Sequence, residues 1–240
     1  MTKIEMSDED KKRLIEAVQT AIGVSVNEFI MENNFITYNC IHMLKWDEIN
    51  TSIAKNMNED NYDIKKFNRG IFCPILIYDK DSKNIYLPMR TKNLLKLKKD
   101  RNKRKVPHYL DALVTKNKAI KVEKQQQEFF DTDKVFNKEM VEKILMPLNN
   151  IEINNFIVCA FDEIKGELIA FKALILDSSL REYYAEDWSY FISPTYNTAI
   201  DFNYTNPDSD PDDDLEIGIK DTSDLEINKK EKETKEFESC

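Results

Sequence analysis

The sequence predicts an α+β fold: an antiparallel sheet built from two β-hairpins, packed on N-terminal and intervening helices and followed by a disordered acidic C-terminal tail. Three observations carry this expectation. The N-terminal quarter repeats apolar residues at helical spacing, two later stretches switch to paired β-rich runs around polar turns, and apolar periodicity ends near Tyr204. A chain of 240 residues with 41% hydrophobic content can bury a full core. One domain over residues 1–204 is expected, with residues 205–240 as the tail.

Each element has its own signal. Ser7 followed by Asp10 resembles a capping box, and Leu14, Val18, Ala21 and Ile22 recur behind it, so the first element is an amphipathic helix over about 8–22. A second apolar stretch runs from Val24 to Ile30. A third, Tyr38 to Met57, places Ile41, Leu44, Trp46, Ile49 and Ile53 on a helix. The period then changes. Ile71 to Tyr78 and Asn84 to Met89 flank the polar turn Asp79-Lys80-Asp81-Ser82-Lys83, a hairpin whose Pro74 and Pro88 belong toward edges or strand ends. Phe156 to Phe161 and Leu168 to Ile175 flank Asp162 to Glu167, a second hairpin around Gly166. Between the hairpins, Thr91 to Lys105, Pro107 to Val114 and Asn137 to Leu145 read as helices. Glu182 to Ile192, with Trp188, is a last packed element.

Charge is sorted by position. Residues 65–124 hold 18 Lys and Arg against 5 Asp and Glu, whereas the flanking regions are acidic and the whole chain carries −9. The densest part is Arg90, Lys92, Lys96, Lys98, Lys99, Arg101, Lys103, Arg104 and Lys105, nine cations in 16 residues with Asp100 as the only acid. With Arg69, this cluster forms the candidate nucleic-acid-binding set, because Lys and Arg displace counterions condensed on phosphates. The competing reading is a solvated face neutralised by nearby acids. No aromatic interrupts the run, which favours backbone contact over base stacking.

Chemistry-bearing motifs are sparse. Only four glycines argue against Gly-rich phosphate loops and a Rossmann turn. A nuclease of the PD-(D/E)xK kind needs an acid upstream of an Asp/Glu-x-Lys triplet, and Asp162 with Glu163-Ile164-Lys165 has that form. Six such triplets occur in the chain, about the number chance supplies, and this one falls in a predicted turn. His42 and His108 lack metal-ligand spacing, and Cys40-x-His42 on a helix would point its ligands apart. No serine has a G-x-S-x-G context. The aspartates of 208–214 place Asp213 where a calcium loop needs Gly and Ile219 where it needs Glu. No catalytic residue, cofactor or metal site is expected. Cys40, Cys73, Cys159 and Cys240 are far apart and read as free thiols, three of them in apolar surroundings. The acidic start of the chain and the lack of an apolar run near 18 residues predict a cytoplasmic protein, away from membranes.

The order Trp46-Asp47-Glu48-Ile49-Asn50, Phe67-Asn68-Arg69-Gly70, the Ile75 to Met89 hairpin, His108-Tyr109-Leu110-Asp111 and Glu186-Asp187-Trp188-Ser189 resembles an uncharacterised family of unknown function from low-GC Gram-positive bacteria and their phages, over about residues 40–192. The resemblance implies lineage, with a phage or mobile-element conflict setting as its corollary, and no chemistry. The expected function is therefore non-catalytic binding of a polyanion, nucleic acid first. The alternative is an acidic protein-interaction or inhibitor module that mimics nucleic acid toward a basic protein partner, with a metal-dependent nuclease behind both.

Overall fold

The computed structural model describes residues 4–37, 39–57, 61–67, 72–117, 120 and 136–194. Residues 205–240, for which a disordered tail is expected, lie outside the described residues, as do Arg69 and Cys240.

Helix α1 spans Asp8–Thr20, and Ser7 caps it: its Oγ accepts the Asp10 N–H at 3.1 Å while its hydroxyl donates to the Asp10 carboxylate at 2.6 Å. A π-helical segment, Ala21–Ser25, joins it without a break to α2, Val26–Asn33. The two expected N-terminal stretches are thus one rod that ends at Asn34, whose left-handed φ of 46° stops the helix. By length and composition this rod is apolar enough to cross a membrane, where the sequence pattern suggested no such run. Half of its apolar window is buried, with Leu14, Ile15, Val18, Ala21 and Ile22 packed in the core. Helix α3 follows at Ile41–Met57.

Six strands form one sheet in sequential order: β1 Tyr62–Lys66, β2 Ile75–Asp79, β3 Asn84–Arg90, β4 Asn155–Ile164, β5 Glu167–Leu176 and β6 Glu182–Asp187. Both expected hairpins, β2–β3 and β4–β5, share it. The sheet is mixed, however, and not wholly antiparallel, because β3 and β4 pair in parallel from Asn84↔Asn155 to Arg90↔Phe161. The reason is the connection. Helices α4 (Thr91–Asp100), α5 (Tyr109–Leu113) and α6 (Lys138–Leu145) intervene, and a crossover that returns the chain to the end where β3 began delivers a parallel strand. Pro88, expected toward an edge or end, sits in this central strand. The β2–β3 ladder contains only Ile77↔Tyr86 and Tyr78↔Ile85 and stops before the proline that has no N–H to offer it.

Both faces of the central strands are covered. On β4, Ile157, Cys159 and Phe161 face one way and Phe156, Val158 and Ala160 the other. The first set packs with α1 and α3 through Leu14, Val18, Trp46, Ile49 and Ile53; the second packs with the crossover helices through Leu94, Leu97, Leu110, Leu113 and Leu145. Strands buried on two faces read as continuous apolar runs, which is why these strands were legible.

The turns follow from local chemistry. Asp79 accepts the N–H groups of Asp81 and Ser82 and the Ser82 hydroxyl, closing the first hairpin. The second closes on Lys165 and Gly166, with φ of 51° and 80°, the two positive values of a type I′ turn. This turn is tighter than expected, so Glu163 and Ile164 lie on β4, with a bulge between Asp162 and Glu163.

Candidate polyanion interface

Helix α4 divides the basic cluster by helical phase. Asn93, Leu94 and Leu97 are buried against the sheet, and Arg101, still helical in backbone as the C-cap, shares their side. Lys92, Lys96 and Lys99, spaced i, i+4 and i+7, are exposed along the opposite side over about 10 Å of helix rise. Beyond the helix, Lys103 and Lys105 are also exposed.

The arginines take the inner positions. Arg90 is 7% exposed and its Nη2 donates to Glu163 Oε1 at 2.7 Å, while Lys45 from α3 donates to the same oxygen at 2.8 Å. The Arg90 guanidinium lies 5.9 Å from the Trp46 ring centre. At the other end of α4, Arg101 donates from Nε to Asp111 Oδ1 at 3.2 Å and from Nη2 to the Ser178 carbonyl at 2.8 Å. Arg104 donates to Asp111 Oδ2 at 2.7 Å and to the Leu97 carbonyl at 2.8 Å, which satisfies one of the helix's terminal acceptors. Planar guanidinium groups with several fixed donors suit such enclosed sites better than ammonium groups do.

The ten expected binding residues therefore divide. Arg90 and Arg101 are buried in ion pairs and Arg104 is largely enclosed, so these three belong to the scaffold and leave the exposed set. Lys98 is half-buried and reaches Glu182 at 3.5 Å. Lys92, Lys96, Lys99, Lys103 and Lys105 form the solvent face. Lys103 meets Asp100 at 3.0 Å, and its hydrogen bond holds that carboxyl below the usual carboxylate range, but an ion pair in contact with solvent contributes little to stability. Arg69 lies outside the described residues.

Sequence reasoning missed the acids that receive the arginines. Glu163 and Asp111 come from β4 and α5, and only the inward phase shared by Leu94, Leu97 and Arg101 hinted that some cations must point to the core. Glu163 is on a strand, as the nuclease motif requires, yet its carboxylate faces two cations and Lys165 sits in the turn. Among the described residues no group of three His, Cys, Asp or Glu side chains stands ready to hold a metal ion. His108 caps α5, accepting the Leu110 N–H at Nδ1, while Asp111 reaches back to the His108 N–H. Of the thiols, Cys159 is buried and pushed up in pKa by that burial, Cys73 is half-buried, and Cys40 is exposed against the expectation of an apolar site.

The fold and this surface define an α+β protein with a six-stranded mixed sheet and a lysine-faced crossover helix. The chain belongs to a family of unknown function, DUF5986, whose model matches residues 3–237 and so extends well beyond the 40–192 stretch that carried the resemblance. No curated protein and no solved structure matches it.

Proposed function

We propose that this chain is a non-catalytic, cytosolic polyanion-binding protein that lays the α4 lysine face along the phosphate backbone of nucleic acid. The observation that carries the reading is the separation by helical phase: the buried arginines are matched to acids, and Lys92, Lys96, Lys99, Lys103 and Lys105 are set outward on one helix and the turn that follows it. A face of flexible ammonium groups without aromatic side chains among them suits phosphates and reads no bases.

The test is fluorescence anisotropy of the full chain with a short duplex across a salt series. Engagement of about four lysines gives a log–log salt slope near −3.6, at about −0.9 per phosphate neutralised. Charge reversal at Lys92, Lys96 and Lys99 weakens binding to every duplex sequence alike. Full affinity in the reversed protein, or no binding by the wild type at low salt, overturns the reading in favour of an acidic module directed at a basic protein.

A further inference from the structure

We infer that Asp111, which touches no solvent-facing lysine, is the positioning residue for the second half of the cationic face, the turn after α4 that carries Lys103 and Lys105. The inference rests on the polyanion reading above. Asp111 lies in the first turn of α5 with its side chain 1% exposed. It accepts from three directions: Arg101 Nε at 3.2 Å, Arg104 Nη2 at 2.7 Å and the His108 N–H at 2.8 Å.

The consequence for the turn is geometric. Arg101 is also held by the Ser178 carbonyl, in the β5–β6 connection, and Arg104 by the Leu97 carbonyl in the last turns of α4. With both arginines drawn inward, Asn102, Lys103, Lys105 and Val106 are left exposed, so the two lysines are the charges the turn presents to solvent. The carboxylate stabilises that conformation, because losing an anion that two enclosed guanidinium groups share favours reopening the turn toward water. The footprint is therefore bipartite, a helix stripe and a turn, and a core acid sets the position of the second part.

Asp111→Asn is the discriminating variant. It raises the net charge by one unit, so an interface governed by total charge would bind duplex more tightly. Positioning predicts the reverse: weaker binding and a salt slope shallower by about 1.8, the share of two lysines. Lys103→Gln with Lys105→Gln, at exposed sites that leave the fold intact, produces the same loss, and combining all three changes loses no more. Should D111N fail to fold, Arg104→Lys keeps the charge count while removing the fork that joins Asp111 to Leu97, and it too flattens the slope. Tighter binding by D111N, or an unchanged slope in R104K or in K103Q/K105Q, overturns the inference. In those cases the loss of affinity on reversing Lys92, Lys96 and Lys99 still stands, whereas a wild type that binds no duplex at low salt sinks the polyanion reading itself.

Discussion

Arg90 and Glu163 are separated by 73 residues in sequence and 2.7 Å in space, and their contact ties the end of β3, where α4 begins, to the bulge in β4. Lys45 adds α3 to the same carboxylate oxygen, so one acid joins α3 to the central strands β3 and β4. The lysine face inherits its direction from this anchor and from the Arg101–Asp111 pair at the far end of the helix.

Glu163→Ala removes the anion that two largely enclosed cations share and lowers stability by about 3 kcal/mol, the lower end of the range for breaking a buried pair. Combining Glu163→Leu with Arg90→Met restores part of that loss. Urea midpoints check both. Equal stability of Glu163→Ala and wild type would show the contact to be solvated.

Gly166→Ala destabilises by about 1–2 kcal/mol, since φ there is 80° and an added Cβ would stand 3.3 Å from the Ile22 carbonyl. Both the turn and its approach to the π-helical segment resist the methyl group. Thermal unfolding reads the effect, and a melting temperature within one degree of wild type would count against it.

Stability falls on the alkaline side. Burial raises the pKa of Tyr86, and burial followed by its hydrogen bond to Asp10 raises that of Tyr62, from an ordinary 10.0; burial alone raises Cys159 from 9.0. These groups stay neutral in the folded chain while the unfolded chain ionises. Their contribution is complete below about pH 9 and is lost progressively as pH rises toward the folded values. A urea midpoint that stays flat from pH 8 to pH 11 would contradict the assignment.

Deleting residues 205–240 removes 13 Asp and Glu along with 5 Lys. Duplex affinity at low salt rises, and the advantage shrinks as salt screens the removed repulsion. Identical affinities at low salt would show that tail charge does not act on the lysine face.

Short-range physics made much of this chain legible. Ser7 and Asp10 announce the first helix, Asp79 and Gly166 close hairpins with their own local chemistry, and runs such as Phe156 to Phe161 mark strands enclosed on both faces. The edge strand Tyr62–Lys66 escaped notice, and the last packed element, Glu182 to Ile192, was not recognised as containing a strand, because Tyr62–Lys66 and Glu182–Asp187 carry the charges that keep an exposed edge from pairing with another chain. Glu163 was misplaced by the assumption of a longer turn than Lys165 and Gly166 require.

The sequence by itself determined the concentration of cations between residues 90 and 105 and, through the 3.6-residue period, the opposition of Lys92, Lys96 and Lys99 to Leu94, Leu97 and Arg101. Only the tertiary structure decided which cations face water. Arg90 and Arg101 can be enclosed because Glu163 and the Ser178 carbonyl arrive from 73 and 77 residues away, and Asp111 from the next helix. The same holds for the parallel pairing of β3 with β4, set by where the crossover delivers the chain. A helical period is a property of neighbouring residues, whereas the solvation of a buried charge depends on whichever distant groups the fold brings beside it.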